Sequence, residues 1–221
     1  MAAAPPSGSE PQIRCWHCKE PNPPAFFCAG CEAVQSLPSD SNYSSLLGFD
    51  GRPSVDEKLL KERYYELSRR LHPDRFQTGS PQEQRVSLQA TALLNSAFKT
   101  LKDVESRGRW WLEHGGESLG QDNNQVPAGL AAQVFDIQEK ISDLSGASGA
   151  DRETLATELR QVQSDLTERM NEERSKVERL LGDWPSDEKT AGPSRAELKG
   201  LLSELSYLRT LARDVRGALE E

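Results

Sequence analysis

The sequence predicts an all-α protein: a helical hairpin, then a C-terminal three-helix bundle, preceded by a small zinc-ribbon-like knuckle. Three observations carry this. Apolar residues recur at helical spacing through most of the chain from Leu60 to Leu219. Start signals of the Ser-x-x-Glu kind stand ahead of several of these stripes. All four cysteines lie before residue 32, as two Cys-x-x-Cys pairs.

A chain of 221 residues suits one or two domains. Its formal net charge of -8 argues against a general binder of nucleic acid or anionic membranes. Residues 127–221 carry 19 acidic and 13 basic side chains, whereas residues 40–116 carry 11 and 12. The two halves therefore offer different surfaces to partners. No apolar run approaches the ~20 residues of a membrane-spanning helix. The opening stretch lacks a basic n-region and an apolar core, and Glu10 precedes the first basic residue, Arg14, so it fits neither a secretory signal nor a presequence. Residues 1–12 are expected to be a disordered tail on a cytoplasmic protein.

Residues 13–37 hold Cys15-Trp-His-Cys18 and Cys28-Ala-Gly-Cys31, with nine residues between the pairs. Four thiolates on two tight knuckles suit one tetrahedral Zn²⁺, and a complete ligand set makes that ion structural. Trp16, Phe26 and Phe27 are too few to fold so short a segment, and metal binding supplies the missing free energy. Two alternatives stay open: two disulfides, which need an oxidising compartment that no signal here indicates, and iron in the same cage. His17 is expected to be a solvated neighbour. The linker from Pro38 to Asn42 sets the knuckle apart, and on that ground it is expected to be dispensable for the hairpin's work.

The hairpin follows. Tyr43-Ser-Ser-Leu46-Leu47-Gly48 gives brief helical turns closed by glycine. Ser54-Val-Asp-Glu57 reads as a capping box, opening a helix with Leu60, Tyr64, Leu67 and Leu71 on one face. Lys61, Arg69 and Arg70 lie off that stripe. Pro73 stops the helix, so His72, Pro73 and Asp74 sit on an exposed turn, where side chains more often meet partners than fill cores. Ser80-Pro81 starts the return helix, whose stripe is Val86, Ala90, Leu93, Ala97 and Leu101, widened by Leu94 and Phe98. Arg107 and Trp110-Trp111-Leu112 follow on a further helix, the last three read as core residues bridging two domains.

Tyr43-x-x-Leu46-Leu47-Gly48, Leu71-His72-Pro73-Asp74, Leu94-Asn95-x-Ala97-Phe98-x-x-Leu101 and Arg107 together resemble a J domain over residues 40–116. The ending Trp111-Leu112-Glu113-His114-Gly115-Gly116 is similar to that of the HscB-type co-chaperones of iron–sulfur cluster assembly. The resemblance implies docking on a DnaK-type (HscA-like) chaperone through His72, Pro73, Asp74, Arg69, Arg70 and Lys61. It also implies stimulation of that partner's ATPase.

After the polar connection Gln121–Pro127 come three helical patterns within residues 125–221. The first, about 128–145, has the stripe Leu130, Val134, Ile137, Ile141 and Leu144. The second is a long rod starting near Asp151 and carrying Leu155, Leu159, Val162, Leu166 and Met170. The third, from the capping box Ser194-Arg-Ala-Glu197, sets Leu198, Leu201, Leu205, Leu208, Ala212, Val215 and Leu219 as a seam of 3-4 spacing. Phe135-Asp-Ile-Gln-Glu-Lys-Ile141 resembles the family's stretch that binds the iron–sulfur scaffold protein (IscU-like). By position, the resemblance implies scaffold contacts at Ala131, Ala132, Phe135, Asp136, Glu139 and Tyr207, although the family favours larger residues where Ala131 and Ala132 stand.

No nucleophile beside a base, Gly-rich phosphate loop or open metal site is visible, and His114 reads as structural, so the chain is not expected to be an enzyme. The leading function is a co-chaperone that delivers a scaffold protein to an ATPase. The alternative is a general J-domain protein whose bundle dimerises or binds other clients. A zinc-ribbon nucleic-acid adaptor is disfavoured, because Lys19 is the lone basic residue between Cys15 and Cys31.

Overall fold

The structure, a computed structural model, describes residues 12–50, 52–117, 119, 130–187 and 190–220. The expected tail, apart from Gln12, and the polar connection at 121–127 lie outside the described residues. Two compact units divide between Asp103 and Val104, within the span 40–116 that the sequence suggests as one domain. Among the described residues the chain is all-α but for one two-stranded sheet, and none of its helices is long and apolar enough to cross a membrane.

The first unit holds the knuckle and the hairpin. Strands β1 (Ile13–Arg14) and β2 (Pro21–Asn22) pair antiparallel, with Ile13 opposite Asn22. Helix α1 spans Tyr43–Leu46, capped by the Asn42 side chain, which accepts from the Ser45 amide at 3.0 Å. Gly48 ends it at φ +74, a left-handed backbone that favours glycine, and the Arg63 guanidinium lies 3.1 Å from where a Cβ would stand. Helix α2 covers Glu57–Leu71, and its N-cap is Asp56, whose carboxylate accepts from the Leu59 amide at 2.9 Å. The capping box expected at Ser54 is therefore displaced by two residues, to the carboxylate that stands nearest the first free amides. Helix α3, Pro81–Lys102, does begin with a full capping box: Ser80 and Glu83 satisfy each other's amides, with Pro81 at the first position.

The hairpin core is Leu60 and Leu71 from α2 against Val86, Ala90, Leu94, Ala97 and Leu101 from α3, with Leu46 and Leu47 also buried. Leu94 takes the central place expected of Leu93, which is half-buried. Tyr64 stacks on Phe98 at 4.0 Å between ring centres and donates its hydroxyl to Asn95.

The second unit comprises α4 (Val104–His114), α5 (Ala131–Gly146), α6 (Gly149–Gly182) and α7 (Gly192–Glu220). Thirty-four residues make α6 a rod of about 51 Å. It starts two residues before the expected Asp151, which lies in the first turn where its charge suits the helix dipole. Two apolar clusters run along the unit. One joins Val104 and Leu112 of α4 to Val177, Leu181, Leu198, Leu202 and Leu205; the other joins Leu130, Ile137 and Leu144 to Leu159, Leu166, Leu208, Leu211 and Val215. Gly108 lets α4 lie close against α7, since a Cβ would stand 3.3 Å from Leu198. On α7 the buried positions are Leu202 and Leu211 rather than the expected Leu201 and Ala212. Leu201 and Ala212 are half-buried and pack against the two clusters, so the packed face is wider than a single seam. Helix α7 also opens at Gly192, two residues ahead of the expected Ser194.

Buried charge ties α4 into this unit. Glu105 is buried and pairs with Arg174 at 2.6 Å and with Arg209. Arg107, also buried, grips both oxygens of Glu178 at 2.6 Å. Leu112 is in the core and Trp111 packs against it, whereas Trp110 is half-exposed and stacks on His114.

Candidate functional sites on the knuckle, the turn and helix α5

The knuckle is built from two similar turns. Cys15 accepts at its carbonyl from the Lys19 amide at 3.0 Å, and Cys28 from the Glu32 amide at 2.9 Å. Lys19 and Glu32, each just after the second cysteine of its pair, take left-handed backbone at φ 66 and 57. Each such residue costs about 1–2 kcal/mol, which a bound metal offsets. The four sulfurs lie within 4.8 Å of one another, with Cys15 to Cys31 at 3.6 Å and Cys18 to Cys28 at 3.7 Å. A tetrahedron with metal–sulfur bonds of ~2.3 Å has edges of about 3.8 Å, so the donor set fits a metal ion. These separations are far from a sulfur–sulfur bond of ~2.05 Å, which removes the disulfide alternative, and all four cysteines are free.

Burial pushes the Cys15 thiol up, yet the amides of Cys18 and His17 and the neighbouring thiols prevail and bring it down to about 6. At Cys18 the Glu20 amide pulls down, but burial and the three crowded thiols push it up to about 12. Four thiolates cannot share this space without a cation between them. Two residues outside the ligand set complete the site, and neither is singled out by sequence. Buried Gln35 donates to the Cys15 sulfur at 3.3 Å, and buried Asn22 accepts from the Ala29 amide at 2.9 Å, joining the two turns. His17 is exposed and outside the cluster.

The turn at the hairpin tip is a 3₁₀ helix, Pro73–Phe76. His72 caps it: Nδ1 accepts from the Asp74 amide at 3.3 Å. His72 and Asp74 side chains are 56% and 71% exposed, so neither is spent on the core. The carbonyl of Leu71, the last residue of α2, accepts from the buried Ser87 hydroxyl at 2.8 Å and from Thr91 at 3.0 Å. These two hydroxyls of α3 pin the point from which the turn departs. Only the register of α3 on α2 brings them there, so sequence reasoning misses them.

Lys61 and Arg69 are exposed, and Lys61 pairs with Glu57 at 2.7 Å. Helical geometry sets Arg69 opposite the core and Arg70 about 180° from Lys61, so the three do not share one face. Tyr65, 61% exposed, lies between Lys61 and Arg69 at four-residue spacing and makes that face aromatic as well as basic. The spacing is readable in the sequence, and Tyr65 is the residue it adds. Arg70 turns to the knuckle, with its guanidinium 4.1 Å from the Phe27 ring centre.

In the second unit Ala131, Ala132, Phe135, Asp136 and Glu139 are all exposed along one side of α5, while Ile137 and Leu144 point inward. Phe135 is 71% exposed, the most exposed large apolar residue in the described chain. Tyr207 is half-buried on α7, packed against the cluster that α5 covers. Arg169 of α6 reaches Gln133 of α5 at 3.2 Å and Glu204 of α7 at 2.6 Å, and so links the three helices through their side chains.

A helical hairpin with an exposed His-Pro-Asp turn, joined in one chain to a four-cysteine knuckle and a charged bundle, has the architecture of a J-domain co-chaperone. The comparisons agree. A co-chaperone protein HscB homolog of Shewanella woodyi is 36% identical over 135 residues, 61% of this chain and 76% of that protein. The iron-sulfur cluster co-chaperone protein HscB of Homo sapiens is 33% identical over 135 residues, 59% of this chain and 57% of the relative. The crystal structure of human co-chaperone protein HscB superposes with a TM-score of 0.70 at 24% identity, covering 92% of this chain and 97% of that one. No family model matches. The chain belongs to the HscB family of co-chaperones.

Proposed function

We propose that this co-chaperone stimulates a DnaK-type, HscA-like ATPase through His72, Pro73 and Asp74 and brings it an IscU-like iron–sulfur scaffold protein held on α5. The observation that carries the reading is the exposed turn. Its carboxylate and imidazole are presented to solvent on a backbone pinned by Ser87 and Thr91. The basic and aromatic side of α2, with Lys61, Tyr65 and Arg69, suits an acidic ATPase surface, and Arg70 lies on the flank. Phe135, with Asp136 and Glu139 around it, is the aromatic anchor with a polar rim on which the scaffold docks, joined by Ala131, Ala132 and Tyr207. One molecule bound to both partners raises the local concentration of client at the ATPase. The metal of the knuckle is one structural Zn²⁺ held by Cys15, Cys18, Cys28 and Cys31; it folds the segment and takes no part in chemistry.

Asp74→Asn tests the reading. It changes no core contact, so circular dichroism and scaffold affinity stay as in the parent while stimulated ATP hydrolysis falls to the basal rate. His72→Gln acts in the same direction. Undiminished stimulation by Asp74→Asn contradicts the proposal.

A further inference from the structure

The knuckle and the end of α2 meet in the first unit, and the residues that meet are unlike one another in kind. Phe26 and Phe27 are adjacent, yet Phe26 is buried in the knuckle while Phe27 is half-exposed. Phe27 is bridged antiparallel to Val34, and the flanking bonds, Cys28 amide to Ala33 carbonyl and Gln35 amide to Phe26 carbonyl, are each 2.9 Å. This ladder brackets the second metal-ligand pair, so the ion that closes Cys28 and Cys31 also fixes Phe27. The Phe27 ring then lies under the guanidinium of Arg70, two residues before His72. A second contact, Ser36 to Gln89 at 3.3 Å, holds the knuckle to α3 at the same end of the hairpin.

A guanidinium that rests on a ring uses its face, and its N–H donors lie in the plane and remain available. Arg70 has 46% of its side chain exposed, and its nearest carboxylate, Glu66, is at 3.9 Å, too far for a strong pair. We infer that Phe27 is a positioning residue: the metal-loaded knuckle holds Arg70 in one conformation beside the His-Pro-Asp turn and presents its donors to an acidic surface of the ATPase. Metal occupancy at the four cysteines is thereby coupled to chaperone docking. The inference rests on the reading of the hairpin as the docking surface and adds the knuckle to it. It also removes the ground for expecting the knuckle to be dispensable.

The test is a double-mutant cycle on the full chain, with affinity for the cognate DnaK-type ATPase and metal content measured on each variant. Phe27→Leu keeps apolar bulk and removes the π face. It is expected to weaken docking about threefold, the scale of an exposed cation–π contact, with metal content unchanged. Phe27→Tyr restores affinity. In an Arg70→Ala background Phe27→Leu has no further effect, and neither does metal removal. Without the partner, the Arg70 δ-protons carry a ring-current shift that metal removal abolishes. Full affinity in Phe27→Leu, or an equal loss with and without Arg70, overturns the inference and leaves the docking reading standing. Unchanged affinity in both Arg70→Ala and Asp74→Asn overturns the two together.

Discussion

In the knuckle the buried apolar residues are Cys15, Phe26, Cys28 and Val34, two of them from the four-cysteine cluster. In the second unit α5, α6 and α7 alone bury Ile137, Leu144, Leu159, Leu166, Val177, Leu181, Leu198, Leu202, Leu205, Leu208, Leu211 and Val215. With a metal ion bound, the knuckle would draw its folding free energy from one ion and four bonds, which would offset two strained residues, Lys19 and Glu32. The bundle spreads the same burden over many side chains and can bury charge, as at Glu105 and Arg107, because each is paired. The two regions should therefore fail differently, one all at once and the other by degrees.

The sharpest break is metal removal. Chelation, or Cys28→Ser, should unfold the knuckle outright, since structural zinc is worth on the order of 10 kcal/mol to such a segment. The Trp16 indole, which donates to the Val34 carbonyl at 2.7 Å, should then exchange freely. Far-ultraviolet circular dichroism should keep nearly all its helical signal, because the helices do not depend on the ion. A Cys28→Ser protein with undiminished metal content contradicts the four-ligand set.

Next is Leu166→Ala at the centre of α6. Leu166 is fully buried, and truncation of such a leucine costs about 3 kcal/mol through lost transfer and the cavity left behind. The denaturant midpoint should fall without loss of cooperativity, and metal content should not change. A loss of metal in this variant would mean that the two regions fold as one.

A smaller effect lies inside the hairpin. Ser80→Ala removes the α3 capping box and should cost about 1 kcal/mol. The Ser80 amide and hydroxyl hold the Glu83 carboxyl below its ordinary value of 4.5, with slight help from His17. A carboxyl depressed by folding stabilises fully above the unfolded value, and that contribution drains away as pH falls below it. The parent should therefore lose stability below pH 4.5 more steeply than Ser80→Ala, as paired denaturation curves would reveal.

Much of this was legible before the structure. The four-cysteine cluster follows from identity and spacing, and the α5 stripe from Leu130 to Leu144 follows from period alone. So does the exposure of Phe135, which stands off that stripe. What was hidden depends on how elements meet. Ser87 and Thr91 hold the Leu71 carbonyl only because of inter-helix register, and the Glu105–Arg174 and Glu105–Arg209 pairs join residues 69 and 104 positions apart. The contact of Phe27 with Arg70 belongs to the same class. The cap of α2 was not legible: Ser54 was expected, and Asp56 caps the helix instead.

The turn and the α5 face should be separable working surfaces, and calorimetric titration of the scaffold into Phe135→Ala separates them. Phe135 is 71% exposed, so its truncation should change stability by under ~0.5 kcal/mol and leave the melting temperature within a few degrees. As an interface anchor it should cost on the order of 2 kcal/mol of scaffold binding, roughly a thirtyfold loss of affinity. The same titration into Asp74→Asn should match the parent. Parent-like affinity in Phe135→Ala, or a large fall in its melting temperature, would contradict the assignment of α5 as the scaffold surface.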